Sequence, residues 1–260
     1  MLSDKGCAVM KKIQLVLTLL LATSTVLPAQ TKIQSTHCPL GCPSISKENT
    51  LVAHHIFTLS NNPKTKFADW VAYEVNPTNF GVTTGRNFTS DPLLHPNDTL
   101  EKNDYKGANS SSLKSDRGHQ APLASFSGNQ YWYETNYLSN ITPQHKKLNQ
   151  GAWKFLEMAV REASTYKNPL YVITGPTYTG EVRQMPKADE SHDVPDGYFK
   201  IVYDKKGNAS FFHMSQIDHH DGLYCSKTTT LAEITNNTNA IFPTFNRSKK
   251  LLNLLGCVGG

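Results

Sequence analysis

The sequence lacks a strong charge of either sign. It has 26 lysine and arginine residues against 21 aspartate and glutamate residues in 260, a formal net charge of +5. Residues 1–29, which we expect to be removed, contain three lysines and one aspartate, a net +2, so the remaining chain carries +3. Such a weak charge does not by itself indicate a nucleic-acid partner. A function on nucleic acid must therefore be argued from local residues.

Apolar runs long enough to anchor a mature chain in a bilayer are also missing, as are internal repeats and low-complexity tracts. The longest apolar run, residues 13–21, follows two lysines and precedes a small-residue exit. This order predicts a secretory signal peptide over residues 1–29, cleaved near Ala29 or Gln30, with Met10 as an alternative start. An uncleaved membrane anchor is the competing interpretation. We expect residues 30–260 to form a single domain.

Cysteine is scarce, and four of the five cysteines lie outside the leader. An even number suits an oxidising compartment. The spacing predicts two disulfides, Cys38–Cys42 and Cys225–Cys257, although other pairings are open on paper. A zinc site formed with His37 is a weaker alternative, because a closed site needs four ligands at metal spacing.

The strand pattern predicts a sheet built from hairpins. Residues 56–59 and 67–75 flank an Asn-Asn-Pro turn. Residues 198–204 and 209–215 flank the turn KKGN, and residues 170–174 indicate a buried strand stopped by a Gly-Pro pair. Hairpins with one dominant helix between them predict an α+β fold with a mainly antiparallel sheet.

The clearest helix is predicted to start at Thr142-Pro143, as N-cap and first helical position, and to run to about Tyr166. Asn149 heads its apolar stripe, and Glu157 lies on the flank of the same face. An amide in such a stripe needs a partner, because an unpaired buried polar group costs about 1–3 kcal/mol. That partner is either a group at the helix terminus or a metal ion.

A long irregular segment, residues 76–115, leads into the polar stretch SDRGHQAPLAS at 115–125. Phosphodiester cleavage requires a base for water, positive charge for the transition state and neutralisation of the leaving 3′ oxygen. Neutral His119 can accept a proton, Arg117 can bind phosphate oxygens, and magnesium needs few protein ligands, all oxygen. The tetrapeptide DRGH alone also fits a solvated turn.

Two longer blocks carry a family resemblance. The run DRGHQAPLASF, followed after a short gap by TNYLSNITPQHKKLNQGAWKFLE, resembles the DNA/RNA non-specific endonuclease family, the Serratia-type ββα-metal nucleases. KFADWVAYEV and TGRNFTSDP upstream and TGPTY downstream also fit that family. The resemblance implies a ββα-metal nuclease fold, in which helices flank a central, mainly antiparallel sheet and one long helix carries the metal ligand.

The resemblance also implies residue roles. His119 would be the general base, and Asn149 would be the single direct protein ligand of a hydrated magnesium ion. Glu157 would hold the waters of the metal, and Arg86 would bind the scissile phosphate. The remaining residues would support or shape the site: Asp116, Arg117 and Asn140.

The implied activity is that of a secreted, magnesium-dependent endonuclease, with manganese as a substitute ion. It would cut both DNA and RNA through phosphate contacts and leave 5′-phosphates, with no membrane partner after signal cleavage. Two alternatives come from other classes, a secreted nucleic-acid-binding protein without catalysis and a periplasmic metal-dependent phosphatase. The stretch IDHHDG at 217–222 resembles a manganese phosphoesterase motif, but the further aspartates of such enzymes are missing. Export from the periplasm and a homodimeric state are left open by the sequence.

Overall fold

The computed structural model describes residues 33–82, 85–178, 180–217, 223–238 and 240–258. The predicted signal peptide and all but the first residue of the IDHHDG stretch lie outside these ranges. Among the described residues, none of the helices combines the length and apolar character that a bilayer crossing requires.

Strands dominate the described part of the chain. In chain order they are β1 (Thr50–Ala53), β2 (Thr58–Asn62), β3 (Phe67–Val75), β4 (Ser115–His119), β5 (Ile141–His145), β6 (Leu170–Thr177), β7 (Gly197–Tyr203), β8 (Asn208–Ser215) and β9 (Asn246–Arg247). Seven of them form one sheet in the order β1-β2-β3-β6-β7-β8-β9, antiparallel except for the β8–β9 pair. The predicted α+β class, with a mainly antiparallel sheet and the two hairpins β2–β3 and β7–β8, is confirmed.

Helices cover both faces of this sheet. The α-helices of the described residues are α1 (Lys146–Gln150), α2 (Ala152–Ala163), α3 (Leu231–Asn236) and α4 (Lys249–Leu254). On one face the sheet packs against α2 and α4, through Trp153 and Leu252 among others. On the other face it packs against Ile234 of α3 and the segment around Cys38. Because both faces are covered, β6 and β7 are buried along their whole length and read as nearly continuous apolar runs.

Strands β4 and β5 form a separate two-stranded antiparallel ribbon, with His119 opposite Ile141. Side chains attach this ribbon to the rest of the molecule. Tyr198 Oη of β7 donates to Pro143 O at 3.1 Å, and Gln216 Nε2 donates to the same oxygen at 2.8 Å. Tyr105 Oη donates to Ile141 O at 3.1 Å. These bonds fix the position of the ribbon relative to the sheet.

The predicted start of the long helix is wrong. Thr142 and Pro143 lie in β5, and the first helical residue is Lys146. Each strand of a two-stranded ribbon has an unpaired edge, where the missing N–H of proline breaks no ladder bond. The pair Thr142-Pro143 is therefore compatible with an edge strand as well as with the start of a helix.

The helix is also interrupted at Gly151, which separates the five-residue α1 from the twelve-residue α2. Asn149 consequently lies on the short α1, and the long α2 carries Glu157. The expectation that one long helix carries the metal ligand is corrected in this respect.

Strand β6 continues through Gly175 and Pro176, where the sequence predicts a stop. Its pairing with β3 ends at Val71 opposite Thr174, so the missing N–H of Pro176 faces no β3 partner. A Cβ atom on Gly175 would lie 2.2 Å from Asp69 O. Glycine therefore permits the close approach of β3 and β6 at this point.

The structure contains both disulfides that the spacing predicts, Cys38–Cys42 and Cys225–Cys257. The zinc alternative is excluded, because both cysteines near His37 are oxidised. The His37 ring bonds instead to Thr58 Oγ1 at 2.9 Å and to His55 O at 3.1 Å.

Candidate active site

Strand β4 of the ribbon and the helices α1 and α2 line an open cleft of about 700 Å³. Six of the seven predicted site residues line it: Arg86, Asp116, Arg117, His119, Asn149 and Glu157. Asn140 does not. The cleft thus brings together residues that are up to 71 positions apart in the sequence, from Arg86 in the irregular segment before β4 to Glu157 in α2.

His119 lies at the end of β4, where the residue is half-buried. Its Nε2 lies 3.1 Å from Asn136 Oδ1, while Asn136 Nδ2 donates to Gly85 O at 3.3 Å. An amide oxygen only accepts, so Nε2 carries the hydrogen and Nδ1 keeps a lone pair. Burial lowers the His119 pKa to about 4, and the charge of Arg86 lowers it further while the Asn136 bond opposes the change. At neutral pH the ring is an uncharged proton acceptor.

Asp116 holds three amide side chains in fixed orientations. Its Oδ2 accepts from Asn149 Nδ2 at 3.1 Å and from Gln150 Nε2 at 2.8 Å, and its Oδ1 accepts from Asn109 Nδ2 at 2.9 Å. Because the amide nitrogen of Asn149 is bound to Asp116, its Oδ1 atom is left available. It accepts no hydrogen bond from the described residues.

This donor set fits magnesium. Magnesium prefers oxygen ligands and keeps several of its waters, so one or two protein oxygens suffice. Asn149 Oδ1 and the Glu157 carboxylate line the same cleft. The contact with Asp116 fixes the orientation of the Asn149 amide, as an outer hydrogen bond does for side chains that bind metals.

Glu157 lies on the half-buried flank of α2. Burial raises its pKa, and the positive charges of Lys200 and Arg161 act in the opposite direction. Arg161 follows Glu157 by one helical turn and also lines the cleft. Its Nη1 atom is buried and has no hydrogen-bond partner among the described residues. Arg161 was not among the residues predicted from the sequence, although its spacing of four from Glu157 could have indicated it.

Arg86 is exposed and lies in the irregular segment before β4. Together with Arg161 it also lines a neighbouring recess of about 620 Å³, which includes Phe80 and Gly81. Two guanidinium groups therefore stand where the cleft and this recess meet. Planar guanidinium groups bind phosphate oxygens in a two-point fashion.

Arg117 and Asn140 have mainly structural contacts. The Arg117 guanidinium lies 5.3 Å from the Phe88 ring centroid and 5.4 Å from that of Tyr105, and it donates to Lys102 O at 3.0 Å. Asn140 is completely buried.

The side chain of Asn140 fixes the chain that follows His119. Its Oδ1 accepts from Ala121 N at 2.8 Å, and its Nδ2 donates to Ala121 O at 3.0 Å and to Thr135 O at 2.8 Å. Asn140 therefore shapes the site from behind the cleft.

A second carboxylate cluster lies outside the cleft lining. Ligand atoms of Glu101, Asp104 and Glu190 fall within 4.8 Å of one another. Burial, followed by the contact with Glu190, raises the Glu101 pKa to about 7. The sequence analysis did not identify this cluster, because Glu190 is distant from the other two residues along the chain.

Comparison with known proteins agrees with this arrangement. The family model for DNA/RNA non-specific endonucleases matches residues 33–246. A nuclease from Serratia marcescens is 39% identical over 211 residues, which cover 79% of this chain and 79% of that protein. The mitochondrial endonuclease G of Bos taurus is 30% identical over 175 residues, which cover 62% of this chain and 56% of that protein.

Similarity to solved structures extends to the fold. A chain in the crystal structure of an EndoG/EndoGI complex matches with a TM-score of 0.66 at 21% identity, covering 79% of this chain and 89% of that one. The family match includes every residue predicted for the site. The chain therefore belongs to the DNA/RNA non-specific endonuclease family and is a metal-dependent endonuclease that hydrolyses phosphodiester bonds.

Proposed function

We propose that this endonuclease is magnesium-dependent, cuts DNA and RNA alike, and uses His119 as its general base. The observation that carries the proposal is an uncharged imidazole with a free Nδ1 lone pair, lining the same cleft as the available amide oxygen of Asn149. The Serratia marcescens relative, named a nuclease, supports the assignment.

The metal assignment follows from the donor set. Asn149 Oδ1 would hold magnesium directly, and the Glu157 carboxylate would hold its water ligands, since both residues line the same cleft. When bound, the ion supplies positive charge that stabilises the leaving 3′ oxygen. Asp116 keeps the Asn149 amide oriented through its 3.1 Å contact.

Side chains of the protein accept the proton and bind the phosphate. His119 Nδ1 takes a proton from water as the water oxygen attacks phosphorus in line with the bond to the 3′ oxygen. That bond breaks with its electron pair on the 3′ oxygen, which takes a proton from solvent water and becomes a 3′-hydroxyl, while the new P–O bond leaves a 5′-phosphate on the other product. Arg86 and Arg161 bind the non-bridging oxygens, where negative charge builds up. His119 then returns its proton to solvent.

Insensitivity to the sugar follows from the kind of contact. The groups that we assign to the substrate bind phosphate, which DNA and RNA share, and none of them is assigned to a base edge or a 2′-hydroxyl. Contacts to phosphate fix position without reading sequence.

We further propose that the protein is secreted, with residues 1–29 removed and residues 30–260 forming one nuclease domain. The two disulfides support an oxidising compartment. Determination of the N-terminus of the protein recovered from culture medium or periplasm tests this assignment. An N-terminus at Met1 or Met10 would contradict it.

The nuclease assignment is tested on supercoiled plasmid and on a long RNA, with magnesium and with EDTA. We expect both polymers to be degraded in magnesium and spared in EDTA, and His119→Ala to lose a factor of about 10²–10⁴ in rate, the usual contribution of a general base. His95→Gln, an exposed histidine outside the cleft, is the matched control and should keep its rate. Tight binding without cleavage would favour the non-catalytic alternative, and cleavage confined to small phosphate esters would favour a phosphatase.

A further inference from the structure

A pocket of about 210 Å³ lies at the start of β4, at the opposite end of that strand from His119. We call it the Lys114 pocket. Its basic and polar lining residues include Lys114, Ser115, His145, Arg183 and Gln216. Among the described residues, no carboxylate lines it. The pocket therefore offers positive charge and hydrogen-bond donors to an anion.

The Lys114 pocket is continuous with the active-site cleft, because Ser115 lines both. Side chains alternate along a strand, so Ser115 and His119 share one face of β4. His145 of β5 lies opposite Ser115 in the register and belongs to the same face of the ribbon. Four residues of strand separate Ser115 from His119, which amounts to about 13 Å at about 3.3 Å per residue. Because phosphates follow one another at about 3.4 Å along each strand of a duplex, a nucleic acid bound at His119 can extend to the pocket.

Ser115 brings an unused hydrogen-bonding group to this junction. The residue is 4% exposed, and its Oγ atom is buried without a hydrogen-bond partner among the described residues. Buried polar atoms nearly always have such a partner, so an unpaired hydroxyl on the wall of a pocket calls for an explanation. A bound anion supplies the missing acceptor.

Lys114 supplies an unpaired positive charge. Its side chain is exposed and forms no ion pair with a carboxylate among the described residues. Its backbone has a φ of 46°, in the left-handed region that residues other than glycine rarely adopt, and its carbonyl oxygen accepts from Lys146 N at 2.9 Å. The charge of Arg183 is already paired, because its Nη2 donates to Asp196 Oδ1 at 3.1 Å. Lys114 is therefore the main charged group that the pocket offers.

We propose that the Lys114 pocket binds a backbone phosphate of the same nucleic acid that is cut at His119, with Lys114 as the charged group and Ser115 Oγ as a hydrogen-bond donor. This inference rests on the proposed function, because it extends the same substrate beyond the cleft. A dinucleotide has a single bridging phosphate, which occupies the cleft and leaves the pocket empty. The pocket therefore favours long chains as substrates.

Lys114→Gln tests the charge. Fluorescence anisotropy measures the binding of a labelled DNA duplex of about two helical turns, in EDTA to prevent cleavage, over a range of salt concentrations. Each neutralised phosphate contributes about 0.9 to the slope of log K against log salt. We expect Lys114→Gln to reduce the magnitude of this slope by about 0.9, as loss of one phosphate contact does. In magnesium, kcat/KM should fall on long DNA and stay unchanged on a dinucleotide.

Lys66→Gln is the matched control. Lys66 also has a left-handed backbone, with a φ of 67°, and it lines neither the cleft nor the Lys114 pocket. Its replacement removes the same charge and should leave the salt slope as in the wild type. An unchanged slope in Lys114→Gln, or equal reductions in the two variants, would overturn the proposal. Absence of measurable duplex binding by the wild type would do the same.

Ser115→Ala tests the hydroxyl separately from the charge. The change removes an unpaired buried atom, so the melting temperature should not fall. The affinity for the duplex should fall about threefold to tenfold, as on loss of one hydrogen bond, while the salt slope is kept. An unchanged affinity would contradict the role assigned to Ser115 Oγ.

Two further measurements separate the competing explanations. Binding of inorganic phosphate alone is followed by ³¹P NMR in the wild type and in Lys114→Gln. If Lys114→Gln weakens only this binding and leaves the duplex slope unchanged, the pocket holds free anions and the proposal fails. The plasmid assay is run beside the binding series. An inactive wild type whose slope still depends on Lys114 defeats the proposed function alone, whereas an active enzyme without that dependence defeats the pocket alone.

Discussion

At the scale of single residues, one hydrogen bond sets the chemistry of His119. The amide oxygen of Asn136 accepts the Nε2 hydrogen, and this leaves Nδ1 as the basic atom. Asn136 is in turn held by the carbonyl of Gly85, next to Arg86. The base and the proposed phosphate ligand are therefore tied to each other through the backbone.

The low pKa of His119 makes a definite prediction about pH. The folded-state pKa, about 4, lies below the ordinary 6.5, so the ring stays neutral as the pH falls from neutrality and becomes protonated only below about 4. We expect kcat/KM to stay level through mildly acidic pH and then to fall tenfold per pH unit, as for a single essential base. Circular dichroism at each pH establishes that the protein is still folded.

The contribution of Arg86 to the fall of kcat/KM at low pH, the acid limb of the pH profile, can be measured separately. Arg86→Met removes a charge that disfavours the imidazolium, so the acid limb should move to higher pH. A wild-type limb near pH 6.5 would mean that the ring is less buried than the structure shows.

Asn149 and its neighbour Gln150 allow a matched comparison, because both donate to Asp116 Oδ2. Only Asn149 is assigned a metal-binding oxygen. We expect Asn149→Ala to raise the magnesium concentration for half-maximal activity by at least about tenfold, in the range seen when the environment of a metal site is damaged. Gln150→Ala should change it little. Similar effects of the two substitutions would show that Asn149 acts only through Asp116.

The sequence identified residues that sit inside recognisable local blocks, such as His119 in DRGH and Asn149 in LNQGAW. It did not identify Arg161 or Lys200. Lys200 is completely buried and contacts Trp153 and Tyr73, which lie 47 and 127 positions away in the sequence. Contacts at such separation depend on how strands and helices pack, and local spacing does not report this.

At the scale of elements, the ribbon β4–β5 is packed closely enough to require glycine at position 118. A Cβ atom there would lie 2.6 Å from Gln144 Cβ and 2.7 Å from its Oε1. We expect Gly118→Ala to lower the free energy of unfolding by about 1–3 kcal/mol, as overpacking usually does. It should also reduce activity, because His119 is the next residue. Thermal unfolding and the plasmid assay measure the two effects.

Gly85→Ala is the control for stability, since a Cβ at that position meets no atom of the described residues within 4 Å. Its melting temperature should match that of the wild type. A normal melting temperature for Gly118→Ala would mean that the ribbon yields to the extra methyl group.

The sequence predicted the hairpins β2–β3 and β7–β8 but not β5. Alternation of apolar residues and turn chemistry are local signals, and both hairpins carry them. Thr142-Pro143 also carries a local signal, but helix starts and edge strands both accept proline. The pairing with β4 makes this segment a strand. The β4 residues are distant along the chain, so a local stretch of sequence around Pro143 does not reveal this pairing.

At the scale of the whole molecule, the disulfide Cys225–Cys257 ties the chain before α3 to the end of α4. We expect the double replacement by serine to lower the free energy of unfolding by about 3–4 kcal/mol on the loop-entropy estimate. The Cys38–Cys42 disulfide closes a much shorter loop, so its replacement by serines should lower the free energy of unfolding by about 2 kcal/mol. Urea titration of both variants compares them. A larger loss at the short loop would show that native contacts around Cys38, not chain entropy, dominate.

The mode of attachment of the ribbon has an evolutionary consequence. Tyr198 of β7 and Gln216, directly after β8, both donate to the same carbonyl oxygen of Pro143, so these two positions bear directly on the placement of the catalytic ribbon. Selection for catalysis constrains the residues at these two anchor positions, whereas the interior positions of the sheet need only an apolar side chain of suitable volume. Related proteins can therefore differ widely in the rest of the sheet and still have the same active-site geometry, provided that the two anchor residues are retained.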